Sequence, residues 1–219
     1  FEDCVSLSEV VLNEGLCKIE QYAFQFCSAL KTLVLPESIQ RLGSSFIRGT
    51  KIEKLDIPRN LKSVSYLLDG TRIKEIVLPP IFSKLTSSIL GSSEYLESLT
   101  IEDMGIAKGA ICYPNLKTLI IKGTGVIEEN PFGVTVTEHN IYSPDGNYTY
   151  YTEKIHAPET VILTDGYNEN ISKVLVDKLN YYQRIDPETG YCIYSKEYSG
   201  EEDFRPQGSG LVNGDYTYD

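Results

Sequence analysis

The stretch Cys27-Ser28-Ala29-Leu30-Lys31-Thr32-Leu33-Val34-Leu35-Pro36-Glu37-Ser38-Ile39-Gln40-Arg41-Leu42-Gly43-Ser44-Ser45-Phe46 decides how the chain is read. Leu30, Leu33 and Leu35 form an apolar-x-x-apolar-x-apolar pattern, and that pattern returns along the chain. It opens at Leu7, Leu30, Ile52, Ile73, Leu96 and Leu116, with spacings of 23, 22, 21, 23 and 20 residues. A fixed period in this range carrying this pattern is the mark of a leucine-rich solenoid. Repeats of this kind build an extended surface, so recognition is the expected role rather than chemistry.

Each repeat opens as a short strand. Leu33 and Leu35 are two apart and share one face, while Thr32 and Val34 take the other. Pro36, Pro58 and Pro79 follow directly in repeats two to four. Proline cannot donate to a ladder, so it ends the strand and turns the chain. A second apolar pair marks the return path: Leu16 and Ile19, Ile39 and Leu42, Leu61 and Val64, Phe82 and Leu85. In repeat five Lys108 stands where this aliphatic is expected. A compact turn closes each repeat, as at Ala23-Phe24 and Ser45-Phe46. One coil cannot bury both legs alone, so stability must come from stacking on its neighbours.

The quoted stretch resembles the BspA-type leucine-rich repeat family, and Cys4 through Phe24 resembles it nearly as well. The resemblance covers about residues 1–125. Repeats three and four depart from it by lacking the cysteine and the Ala-Phe pair, and repeats five and six by lacking the proline. It implies a solenoid with a parallel sheet of about six short strands and irregular or short-helical return legs. It also implies a non-enzymatic surface or secreted bacterial protein that adheres to a host or matrix protein. An extracellular or cell-surface location rests on the resemblance alone. The chain opens at Phe1 in mid-repeat and reads as part of a longer array.

Composition narrows the function. The 219 residues carry a net charge of −11, which argues against nucleic acid and against an anionic membrane surface. No apolar run reaches the length of a membrane span. Residues 1–141 hold 17 acids and 14 bases, against 14 and 6 in residues 142–219. With the loss of period after Ile121, this divides the chain into a repeat array over 1–125 and a small α+β cap over 126–219. An open solenoid end exposes core and needs such a cover.

Within the cap, Val134 to Thr137 alternate as a strand, and Pro144-Asp145-Gly146-Asn147 reads as a hairpin turn. Thr160 to Leu163 reads as a buried strand. Ile171, Val174, Leu175, Lys178, Leu179 and Tyr182 share one helical face, with Asn170 as its cap. Tyr181 to Ile185 and Tyr191 to Tyr194 bracket a second hairpin turn, and residues from about 199 onward read as peripheral. Twelve of the 16 tyrosines lie in residues 142–219. Tyrosine favours strands, and it also suits interfaces and sugar stacking, so a glycan ligand on residues such as Tyr150 or Tyr194 is one alternative reading, and a purely structural capped end of a longer repeat array is another.

No phosphate loop, nucleophile elbow or zinc motif appears, and neither catalytic residues, a cofactor nor a metal is expected. Asp165 to Asn170 lacks the ligand spacing and closing glutamate of a calcium loop. Asn147-Tyr148-Thr149 and Asn170-Ile171-Ser172 match glycosylation acceptors. Cys4 and Cys27 share one slot of consecutive repeats, where Gly49, Gly70 and Ser93 would follow. Free thiols are the plain reading, and a bridge between stacked coils is conceivable. The candidate ligand surface is the outward column Val11, Val34, Asp56, Val77, Thr100 and Ile120, mostly β-branched and apolar although it faces away from the core.

Overall fold

A computed structural model describes residues 1–143 and 146–197. The chain winds into stacked coils whose two legs both run beside the equivalent legs of their neighbours. On the return side the legs form short parallel pairs: β1 (Lys18–Ile19) with β2 (Arg41–Leu42), and β4 (Lys84–Leu85) with β6 (Gly105–Ile106). Single bridges from Arg41 to Ser63 and from Ile106 to Ile127 extend these stacks. One turn of helix, α1 (Ser87–Leu90), lies on the fourth coil.

The main sheet has six strands, and their membership differs from the six repeats. It is built from β3 (Glu75–Leu78), β5 (Ser98–Glu102), β7 (Thr118–Lys122) and β10 (Thr160–Leu163), all parallel. Two antiparallel strands complete it, β12 (Cys192–Ser195) on β10 and then β11 (Tyr182–Ile185) outermost. The first three coils run beside this sheet with a bridge from Lys54 to Glu75 and a bond from Lys51 N–H to the Leu30 carbonyl. Strands β5 and β7 are rich in Thr and Ile, which fit a pleated surface, whereas Lys54 and Asp56 hold the outward places in coil three. Coils five and six also lack the proline, so Glu102 and Lys122 prolong their strands by a residue.

Side chains reinforce the early coils where the ladder is sparse. The Glu37 amide donates to Glu14 Oε1 (3.3 Å), and the Arg59 amide donates to Glu37 Oε2 (3.1 Å). Inside, Leu30, Ile52, Ile73, Leu96 and Leu116 stack with Leu33, Leu55, Ile76, Leu99 and Leu119 in one continuous buried core. Coil five meets the pattern at Ile106, which is fully buried in register with Leu85. Lys108 instead lies exposed, and its amide donates to Glu128 Oε2 (2.9 Å).

The turn slot also reads differently in three dimensions. Asp3, Phe26, Gly49 and Gly70 all have positive φ, from 56° to 73°, and each immediately precedes Cys4, Cys27, Thr50 or Thr71. The glycines therefore occupy the left-handed position, and the threonines are the true counterparts of the cysteines. Thr50 and Thr71 are buried, and their hydroxyls donate to the carbonyls of Ile47 (2.8 Å) and Leu68 (2.9 Å). Cys27 differs in its partner: its Sγ donates to the Phe1 carbonyl of the preceding coil (3.0 Å). All five cysteines are free thiols, with Cys4 exposed and Cys27 buried.

Beyond the array, β8 (Val134–Ser143) and β9 (Gly146–Ile155) form a two-stranded ribbon longer than the pattern suggests. Residues 144 and 145 of its turn lie outside the described residues. After β10 comes α2 (Glu169–Ser172), which continues as a π-helical turn over Lys173–Lys178. Its cap is Asn168, whose Oδ1 accepts from the Ile171 amide (3.1 Å). Asn170 instead donates to the Ile127 carbonyl (2.7 Å) and ties this helix to coil six. Ile171, Val174, Leu175 and Val176 pack into the core there. The peripheral segment expected from about residue 199 lies outside the described residues.

Candidate binding surface

The pleat that buries Leu33, Ile76, Leu99 and Leu119 turns their neighbours outward. Val11 and Val34 are 75% and 79% exposed, Asp56 is exposed, and Val77 is 43% exposed. Ile120 is half-buried and Thr100, small and set between Val77 and Ile120 on paired strands, is buried at 8% exposure. The register places Val77, Thr100 and Ile120 side by side and then adds two residues that the repeat pattern missed. Ile162 pairs with Ile120, and Ile193 pairs with Ile162. Both are half-buried. The signal for Ile162 was present: Thr160-Val161-Ile162-Leu163 lies 42 residues after Thr118-Leu119-Ile120-Ile121, the span of two repeats. The intervening ribbon hides it. Ile193 has no such signal, because its strand runs the other way.

Charged margins flank this apolar row. On one side Glu102 joins Arg59 Nη2 (3.2 Å) and Lys122 Nζ (3.4 Å), beside a hollow of about 140 Å³ that Asp56, Val77 and Pro79 help to line. On the other, Lys117 Nζ meets Glu97 Oε2 (2.6 Å). The ammonium hydrogen bond holds the Glu97 carboxyl below its ordinary range and pushes the Lys117 ammonium up. An apolar centre inside a polar rim is the common anatomy of a protein interface.

The other sequence candidates fall elsewhere. Tyr194 is fully buried, and Tyr181 is buried with its hydroxyl donating to the Pro158 carbonyl. Tyr194 therefore cannot offer its ring to a sugar, because it packs beneath the sheet rather than on it. The Tyr150 side chain lies outside what is described. Tyr151, Tyr167 and Tyr191 are the exposed tyrosines among the described residues of this region. The Asn170 amide is engaged in the fold, as above, which disqualifies it as a glycan acceptor in the folded chain. His139 and His156 bond to Thr152 (2.8 Å) and Thr135 (2.6 Å). Among the described residues no group of three or more His, Cys, Asp or Glu is placed to hold a metal ion. Nor is any described helix long and apolar enough to cross a membrane.

Stacked coils with a leucine-rich inner face and an open outer sheet define a leucine-rich repeat solenoid. The chain belongs to the BspA type leucine rich repeat region family, which it matches in six copies over residues 1–138. Among solved structures it is similar to the crystal structure of a leucine-rich repeat protein from Bacteroides ovatus, with 19% identity and a TM-score of 0.24. That match covers 55% of this chain and 51% of the other, so the chain spans about half of that relative. Comparison with curated proteins gives no match.

Proposed function

We propose that this chain is a non-enzymatic recognition module whose outer sheet binds a protein ligand. The observation that carries this reading is the apolar row Val77, Thr100, Ile120, Ile162 and Ile193, in register over five strands and facing away from the core. Val11, Val34 and Asp56 lengthen it along the first three coils. Outward apolar rows bounded by charge mark interaction surfaces. Family membership supports adhesion to a host or matrix protein at a bacterial surface or after secretion. In this reading residues 126–219 form the cap that covers the far end of the array.

The test is a binding screen of the purified chain against immobilised extracellular-matrix proteins. The double variant Val34→Asp, Val77→Asp should abolish each hit while leaving the circular dichroism spectrum unchanged. Binding that survives both charges would remove the sheet face from consideration.

A further inference from the structure

A second concave feature lies apart from the outer row, beyond the C-terminal ends of β7 and β10. Here the turn Gly123-Thr124-Gly125 of coil six faces the turn Asp165-Gly166-Tyr167-Asn168 that follows β10, and a cavity of about 220 Å³ opens between them. Its size falls below the roughly 300 Å³ at which pockets for drug-sized ligands begin, so it suits one small ring.

The walls are chemically specific. Gly123 and Gly125 border the cavity as bare backbone, packed so closely on Asp103 and the Met104 carbonyl of coil five that neither position has room for a Cβ. Tyr167 is 59% exposed and supplies an aromatic face. Asp165 Oδ2 is fixed in place by the Gly123 amide and by the Thr164 hydroxyl (2.8 Å). Its Oδ1 meets no donor among the described residues. Asn168 spends its Oδ1 on the Ile171 amide, which fixes the side chain and leaves Nδ2 as a donor without a protein partner among the described residues. An oriented carboxylate acceptor, an oriented amide donor and an exposed aromatic ring thus border one small hollow.

A neutral sugar ring matches all three. Its C–H face stacks on an aromatic ring, and neighbouring hydroxyls donate to a carboxylate and accept from an amide. An anion would meet the Asp165 charge. A hard cation would find one carboxylate where calcium calls for six to eight oxygens. We propose that this cavity binds a single neutral hexose ring, such as the terminal residue of a glycan. The site lies beyond the protein-binding face and does not depend on it.

The experiment uses the full chain and the methyl glycosides of glucose, galactose, mannose and N-acetylglucosamine, each at millimolar concentration. Saturation-transfer NMR should light up the ring protons of at least one, with amide shifts at Gly166 and Tyr167. Tyr167→Ala should weaken binding about tenfold or more, while Tyr167→Phe keeps it. Asn168→Asp retains the capping oxygen but removes the amide donor, so it should also weaken binding about tenfold with the fold intact. No transfer to any of the four sugars would overturn the proposal. So would binding indifferent to Tyr167→Ala and Asn168→Asp, or the same amide shifts produced by calcium alone.

Discussion

Leu99 and Val34 are both apolar strand residues, and the structure assigns them opposite consequences. Leu99 is fully buried, in register with Ile76 on one side and Leu119 on the other. Leu99→Ala removes three carbons, worth about 2.4 kcal/mol at about 0.8 kcal/mol each. The void cannot close, because ladders hold β3 and β7 at strand spacing on either side, so a cavity term adds to the loss. The total should reach about 4 kcal/mol, in the upper half of the range for such changes. With a urea slope of about 3 kcal/mol/M, the midpoint should fall by about 1.3 M. Tyrosine fluorescence can follow it, since the chain has 16 tyrosines and no tryptophan. Val34→Ala, at a site 79% exposed, should change stability by less than about 0.5 kcal/mol. A Leu99→Ala cost below about 1.5 kcal/mol, or a larger cost at Val34, would refute the assignment of inner and outer faces.

Three further outcomes follow from the turns and the ribbon. Cys27→Thr should be tolerated to within about 1 kcal/mol, because coils three and four place Thr50 and Thr71 in the same slot; urea denaturation reads this directly. Gly49→Ala should cost about 2 kcal/mol and lower the melting temperature by about 5 °C, since φ is 73° and the new Cβ would sit 2.5 Å from the Phe26 ring. Burial, and then Lys154, hold His156 below its ordinary pKa of 6.5. The unfolded chain therefore takes up that proton more readily, and the stability it contributes is whole above 6.5 and lost as the pH falls below it. Melting temperatures at about pH 7.5 and about pH 5.5 should differ, and His156→Gln should narrow the gap.

The coil architecture was legible because its cause is local. Leu33, Leu55, Ile76, Leu99 and Leu119 announce the inner face through spacing alone, and the structure buries every one of them. What escaped the pattern has a physical reason in each case. Equal apolar spacing in coils two and five yields extended chain in one and a paired strand in the other, and in coils five and six the missing proline lets the strand run a residue longer. The turn slot was misaligned because coils three and four are a residue short before Ile52 and Ile73, and only backbone dihedrals reveal which residue turns. Strand β10 joins the parallel sheet only after the inserted ribbon. As for the candidate surface, five of its six sequence members face outward as partly or fully exposed side chains, but its continuation through Ile162 and Ile193 depends on strand order. Strand order past an insertion is a long-range property that periodicity does not encode.

One column of surface residues bears on order rather than on strength. From coil two onward the place after the first apolar residue holds Lys31, Glu53, Lys74, Glu97 and Lys117, and Glu159 takes the same place before β10, so the sign alternates along this column. Lys196 extends the alternation, since its amide donates to the Glu159 carbonyl (3.2 Å). The column's ion pair, Glu97 with Lys117, is exposed, and solvent screening leaves such pairs little weight in the stability of the stack. The effect of the column lies in comparison with wrong stacks. Coils of one pattern present nearly equivalent inner faces, and hydrophobic contact alone discriminates weakly between the adjacent coil and the next but one. Skipping a coil would set Lys31 against Lys74, or Glu53 against Glu97, like charges in place of unlike ones. The apolar core thus supplies cohesion that is nearly blind to order, and the alternating edge supplies the discrimination that cohesion lacks. Because that edge runs along one margin of the sheet, it can set the order of the coils while leaving the apolar row beside it free for a ligand.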